Sequence, residues 1–252
     1  MNVKNAQEEG QKNTITKKNE VTMLEENKIY LGDCLELMKE IPDKSIDLVL
    51  TDPPYKQEFH NRGMSKDRPH YLEMSKYGSN KDIDFSQFFN LIISKLRKIN
   101  IFIFCDKETK FEFIKLAKEG KYGYKEICFC KTSPTPFTNN QWLPDVEFGL
   151  HIFKDLEVLG DYSTKRSWFL MPNFQEPNID FPSPKRVSIV ENILKNISRE
   201  NDLILDCFSG SGTTAVACHN LKRRFICIEK DYDYWKASVE RLEREQAQLK
   251  LF

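Results

Sequence analysis

The sequence predicts an α/β protein with a mainly parallel sheet covered by helices on both faces. Two observations carry that expectation: short apolar, strand-like segments recur along the chain, and helical patterns alternate with most of them. A third agrees with it: carboxylates and glycines collect where strands run into helices, the end at which open α/β sheets bind ligands.

The strand-like segments are Ile29–Leu31, Ile46–Thr51, Ile101–Cys105, Ile127–Cys130, Val146–Phe153, Leu203–Cys207 and Phe225–Glu229. Phe85, Phe88, Phe89, Ile92 and Leu96 fall at three-four spacing, which predicts a helix over 85–96. Similar patterns cover 111–117, 187–197, 213–221 and 234–242. Residues 1–27 are rich in Lys, Asn, Glu and Gln without periodicity and read as a flexible polar tail before a domain spanning 28–252. Two stretches break the rhythm, near 56–84 and 154–186. The first is polar and aromatic, with His60, Arg62, Lys66, Arg68 and His70. The second is rich in Pro and Gly around Trp168 and Phe174. Insertions of that length inside a compact domain are usually functional or disordered.

A chain of 252 residues that is 40% hydrophobic and 30% charged is neither collagen-like nor wholly disordered. Lys plus Arg and Asp plus Glu both number 38, so a uniformly basic coat is absent and any nucleic-acid affinity must be local. No apolar run approaches the ~18 residues of a membrane span, and the start is too polar for a signal peptide, so a cytoplasmic protein is expected. Of the seven cysteines none forms a C-x-x-C pair, so Cys128 and Cys130 read as packing thiols, His60 and His70 as polar loop residues, and no metal is expected.

Two turns carry chemistry. Thr51-Asp52-Pro53-Pro54-Tyr55 follows the strand at 46–51, and its consecutive prolines hold the backbone extended. The Asp52 carboxylate and the Pro53 carbonyl are then two acceptors aimed at one point, suited to a substrate –NH₂, with the Tyr55 ring beside them. The second turn is Leu205-Asp206-Cys207-Phe208-Ser209-Gly210-Ser211-Gly212-Thr213-Thr214, a strand running into a helix through glycines that admit a ligand to the backbone. Glu229 ends the next strand, about 20 residues on, where nucleotide-binding βαβ units place a ribose-hydroxyl acceptor. On spacing alone this equally suits a dinucleotide, since Ala215 is an allowed variant at the third glycine position.

Together, D-P-P-Y followed by F-x-G-S-G-T-T resembles the DNA amino-methyltransferases, which use S-adenosylmethionine (SAM) to methylate adenine N6 or cytosine N4. The order of the two motifs resembles the β group of that family. The resemblance extends over most of 28–246, including Gly32-Asp33-Cys34-Leu35 and Phe181-Pro-Ser-Pro-Lys-Arg186. It implies a Rossmann-like SAM-dependent methyltransferase fold with a seven-stranded, mostly parallel sheet and permuted motif order. By that resemblance Asp52, Pro53, Pro54 and Tyr55 form the catalytic set, with Tyr55 stacking on a flipped base. Asp206, Phe208, Gly210, Gly212 and Thr213 belong to the SAM turn, Glu229 binds the ribose and Asp33 the adenine amine. Lys185 stands where the family has the Lys of His-Pro-Thr-Gln-Lys-Pro, which implies a contact with the SAM carboxylate, although Phe181, Pro184 and Arg186 replace His, Gln and Pro, and Cys207 replaces a frequent Pro.

The resemblance implies double-stranded DNA as partner, N6 of adenine as target and the two insertions as recognition elements. A cognate restriction endonuclease and a homodimer are compatible partners. Cytosine N4, and a catalytically decayed SAM- or DNA-binding subunit, are the alternatives. A nicotinamide dehydrogenase would explain Glu229 and the glycines but leaves D-P-P-Y unexplained.

Overall fold

A computed structural model describes residues 23–54, 83–134, 142–171, 181 and 184–248. Its strands are β1 (Lys28–Leu31), β2 (Leu48–Thr51), β3 (Asn100–Cys105), β4 (Gly123–Lys131), β5 (Val146–Phe153), β6 (Trp168–Met171), β7 (Leu203–Asp206) and β8 (Arg224–Glu229). The helices are α1 (Cys34–Leu37), α2 (Phe85–Lys95), α3 (Lys107–Glu119), α4 (Val187–Ile197), α5 (Thr213–Asn220) and α6 (Tyr232–Gln248), with a 3₁₀ turn at Met38–Glu40.

The strands form one sheet in the order β1-β8-β7-β2-β3-β5-β4-β6. Every pair from β1 to β3 is parallel; β5 runs antiparallel to both β3 and β4, and β6 is parallel to β4. β2, β3 and β7 are buried along their whole length, which is why they read as continuous apolar runs rather than alternating ones. Val49, Ile101, Ile103 and Leu205 pack with Met38, Phe88 and Phe113 on one face. Leu48, Leu50, Phe102, Phe104 and Ile204 pack with Val190, Leu194 and Val216 on the other. Burying each such side chain contributes roughly 1.5–3 kcal/mol. Asp84 and Asp106 start α2 and α3 by accepting the N–H groups of Ser86 and Thr109 at 2.9 and 2.8 Å.

One expectation is corrected. The sheet has eight strands, not seven, because β6 lies inside the stretch read as a loop. Its four residues pair with β4 from Cys128↔Trp168 to Lys131↔Met171, and that pairing, rather than local pattern, defines it. Ahead of β1, Glu26 pairs with Arg224 at 2.7 Å and the Asn27 N–H donates to the Phe225 carbonyl at 2.6 Å, tying these residues to β8. The start of the 154–186 insertion lies at the sheet end opposite the Asp52 turn. The Leu159 N–H donates to the Asn196 carbonyl and the Thr164 hydroxyl to Asn196 Oδ1, near the C-terminus of α4.

Candidate active site

β2 and β7 are parallel neighbours, so the turns after Thr51 and Asp206 emerge side by side. The Thr51 hydroxyl donates to Asp206 Oδ1 at 2.8 Å and accepts the Cys207 N–H at 3.2 Å, fastening one turn to the other. Phe208 N–H donates to the same carboxylate oxygen at 3.1 Å. Burial pushes the Asp206 carboxyl up to about 6, against donors from Thr214, Thr51 and Phe208, and the charge of Asp52 adds to the rise.

The turns border a small cleft that opens to solvent. Asp52, Lys185, Asp206, Phe208, Gly210 and Thr213 line it, with Phe104 and Phe181 as aromatic walls. Two glycines shape the turn differently. Gly210, at φ +50°, lies close under the Phe181 ring, which a Cβ would meet at 2.8 Å. Gly212, at φ +76°, begins α5 and faces away from the cleft: a Cβ there would meet Ser238 on α6 at 2.9 Å. Its role is close helix packing. Arg241, also on α6, donates to the Ser211 carbonyl at 2.9 Å and to Thr213 Oγ1 at 3.1 Å, holding the turn from behind.

Glu229 and Asp33 do not line this cleft; they stand at the ends of the next strands, β8 and β1, which are paired Leu31↔Glu229. Glu229 links the two regions, with Oε2 accepting Gly210 N–H at 2.7 Å and Oε1 accepting Asp231 N–H at 2.9 Å. Burial raises its carboxyl above the ordinary value despite those donors. Asp33 caps α1 by accepting Leu35 N–H at 2.9 Å and pairs with Lys230 at 3.1 Å. Burial acts to raise its carboxyl, but Lys230 and the Leu35 N–H hold it below the usual value.

Lys185 enters the cleft from the residue pair ahead of α4. Its ammonium stands 3.0 Å from Asp52 Oδ2 and 3.5 Å from Glu147 Oε2, while its carbonyl accepts the Thr213 hydroxyl at 3.0 Å. Glu147 in turn pairs with Lys131 at 2.6 Å. Glu147 carries no local signal in the sequence; the β4–β5 register sets it beside Lys131 and within reach of Lys185. Pro53 is buried and Pro54 half-buried. Tyr55, together with His60, Arg62, Lys66, Arg68, His70 and Phe174, lies outside the described residues.

The cysteine thiols fit packing roles: burial pushes Cys34 and Cys105 up to about 12 and raises Cys207 and Cys227 strongly. No cluster of His, Cys, Asp and Glu suited to a metal exists among the described residues, and no described helix is long and apolar enough to cross a membrane.

The family model described as DNA methylase, for N6 and N4 methyltransferases, matches residues 46–240. The chain belongs to the N6-adenine/N4-cytosine DNA methyltransferase family. Among its relatives, the Type II methyltransferase M2.MboI of Moraxella bovis is 26% identical over 239 residues, covering 84% of this chain and 86% of that protein. The Type II methyltransferase M.HinfI of Haemophilus influenzae is 24% identical over 246 residues, covering 86% of this chain and 68% of that one. Among solved structures, the M1.HpyAVI–SAM complex superposes with a TM-score of 0.64 at 24% identity, covering 85% of this chain and 99% of that chain. The cytosine-N4-specific PvuII DNA methyltransferase gives 0.66 at 18% identity, covering 89% and 92%. The methyltransferase fold is thereby shared, with its Rossmann-like sheet and helices on both faces.

SAM is the methyl donor of this family. The residues present suit it. Gly210 leaves backbone exposed in the cleft, Lys185 and the start of α5 face it with positive charge, and buried Asp206 offers an anion. Each Glu229 oxygen already takes one N–H and keeps lone-pair capacity for a hydroxyl.

Proposed function

We propose that this chain transfers a methyl group from SAM to N6 of adenine in double-stranded DNA, acting on a base flipped out of the helix. One observation carries the reading: an acceptor turn, Asp52-Pro53, and a glycine turn around Gly210 share one cleft although they are far apart in sequence. A base inside a duplex cannot reach such a cleft, so flipping is required.

An exocyclic amine conjugated with its ring is a poor nucleophile, since its lone pair is delocalised. Asp52 and the Pro53 carbonyl, each accepting one N–H, favour a pyramidal nitrogen and free that lone pair. Asp52 additionally carries the charge that opposes the positive nitrogen as it forms. SAM supplies a methyl group already activated on a sulfonium. The chain's remaining task is alignment. Glu229 and Asp33 are assigned to the nucleoside end of the cofactor, and Phe208, Gly210, Thr213 and Asp206 to its amino-acid end. Tyr55 is assigned to stacking on the base.

Asp at the first tetrapeptide position supports adenine over cytosine as target, because Ser is commoner there among cytosine-N4 enzymes. Incubating the chain with SAM and unmethylated plasmid DNA, followed by nucleoside mass spectrometry, tests this. N6-methyladenine is expected, N4-methylcytosine alone would overturn the base assignment, and neither product would overturn the activity. The Type II names of the relatives support a restriction endonuclease of matching specificity as functional counterpart. Resistance of the methylated plasmid to such an endonuclease checks that assignment, and sedimentation checks for a homodimer.

A further inference from the structure

Lys131, Glu147, Lys185 and Asp52 form a row of alternating charges, with separations of 2.6, 3.5 and 3.0 Å, that ends on the carboxylate assigned to the target amine. The last contact conflicts with that assignment. An ammonium 3.0 Å from Asp52 occupies one of its acceptor oxygens, and a cation fixed there repels the positive charge that grows on the attacking nitrogen. Lys185 is only 15% exposed, so leaving Asp52 for bulk water is not open to it without a wider rearrangement. Of the protein's own anions, Glu147 stands in reach to receive it.

We propose that Glu147 is a positioning residue for methyl transfer: it takes the Lys185 ammonium when a target amine arrives, so that Asp52 meets the amine with its charge unshared. This rests on the reading of Asp52 as amine acceptor. Three features of the structure support it. Glu147 Oε2 lies within 3.5 Å of the same Nζ, so the transfer is a short swing and not a refolding. Its other oxygen is pinned by Lys131, which the antiparallel register sets beside it through the Lys131 N–H to Asp145 carbonyl bond of 2.7 Å. The Phe104 ring, 5.2 Å from the ammonium, offers an aromatic face along which a cation moves without being stranded. Burial acts to raise the Glu147 carboxyl, but Lys185 and Lys131 outweigh it and keep the group below the usual value, so it stays an anion at neutral pH.

Four proteins test the inference: the unaltered chain, Glu147→Gln, Lys185→Met and the double variant. Single-turnover methylation of unmethylated plasmid DNA is measured at saturating SAM, beside equilibrium binding of SAM and of DNA. Glu147→Gln is expected to slow transfer roughly tenfold or more while both affinities stay within about twofold, since its effect runs through a directly contacting neighbour. In the Lys185→Met background the same substitution should cost nothing further, and the double variant should outpace Glu147→Gln. Should Glu147→Gln fail to fold, Lys131→Met, which loosens Glu147 without touching Asp52, must slow transfer in the same way. Melting temperatures of the SAM-free proteins should also be non-additive. Unchanged transfer in Glu147→Gln, or rate effects that simply multiply, would overturn the proposal. Failure of the unaltered chain to methylate DNA would instead remove the activity on which it rests.

Discussion

Thr51 and Asp206 are 155 positions apart, yet the hydroxyl of one donates to the carboxylate of the other at 2.8 Å. That bond joins the acceptor turn after β2 to the glycine turn after β7, fixing the spacing between the two halves of the cleft. It also dictates how the site responds to substitution and to pH.

The two carboxylates assigned to different tasks should fail differently. Asp52→Ala removes the acceptor of the target amine and should abolish turnover while leaving SAM affinity within a few-fold, because Lys185 retains Glu147 as a partner. Glu229→Ala should weaken SAM ten- to hundredfold, as a charge-assisted hydrogen bond is worth about 1.5–3 kcal/mol. It also releases the Gly210 N–H that Glu229 holds at 2.7 Å. Calorimetry with SAM beside single-turnover methylation separates the two. Equal loss of SAM binding in both variants would refute the division of labour.

The two glycines predict a contrast in stability. Gly212→Ala places a Cβ 2.9 Å from Ser238 Cβ and 3.3 Å from its backbone, at φ +76° where an L-residue costs about 1–2 kcal/mol before any clash. A fall in melting temperature of several degrees is expected. Gly210→Ala carries the same left-handed cost at φ +50° but meets only the Phe181 ring, a side chain that can turn aside. It should melt closer to the unaltered chain while binding SAM more weakly, because the displaced ring enters the cleft. Thermal melts with and without SAM decide it.

The sequence reveals the catalytic half of this cleft far better than its surroundings. Asp52 and Gly210 announce themselves because each lies in a rigid or glycine-rich turn at a strand end, and parallel β2 and β7 bring such ends together. Helix 187–197 is legible to the residue, since Val190, Ile193, Leu194 and Ile197 form one buried stripe. Glu147 is invisible to local pattern: it is an ordinary charged residue near a strand start, and only antiparallel register sets it beside Lys131. β6 is hidden for a related reason. Trp168-Phe-Leu-Met171 is too short to show periodicity, and Trp168 and Leu170 stay exposed on the sheet edge. At Gly212 the motif does not show what the fold adds: a Cβ there would meet Ser238 of α6.

Asp206 predicts a trade between stability and activity. A buried carboxyl standing at about 6, against an ordinary 3.8, destabilises the folded chain by roughly 3 kcal/mol at pH 7. Asp206→Asn keeps the shape, leaves an oxygen for Thr51 and Phe208, and lets the Thr214 hydroxyl turn to accept. It should therefore raise the melting temperature at pH 7 but not at pH 4, while weakening SAM binding if the anion holds the cofactor. A variant no more stable at neutral pH would show that the charge is already compensated.

His151 predicts the opposite pH behaviour. Its ring is buried on β5, contacts Asn100 Oδ1 at 3.1 Å through Nε2, and is pushed down to about 4 by burial. Between its ordinary value of 6.5 and about 4, the unfolded chain takes up a proton that the folded chain refuses, so stability falls as pH falls through that window, by roughly 3 kcal/mol. Asp206 acts against this. Its folded-state carboxyl holds a proton that the unfolded one has lost, so its contribution falls as pH rises from about 3.8 to about 6. The two slopes nearly cancel between pH 4 and 6, so neither shows in the unaltered chain. Denaturant titrations at pH 4.5, 5.5 and 6.5 should expose each by removing the other. Asp206→Asn should gain stability more steeply with pH than the unaltered chain. His151→Gln, which keeps a donor for Asn100, should gain it less steeply or lose it. Parallel pH profiles for all three proteins would mean that neither group is held away from its ordinary value.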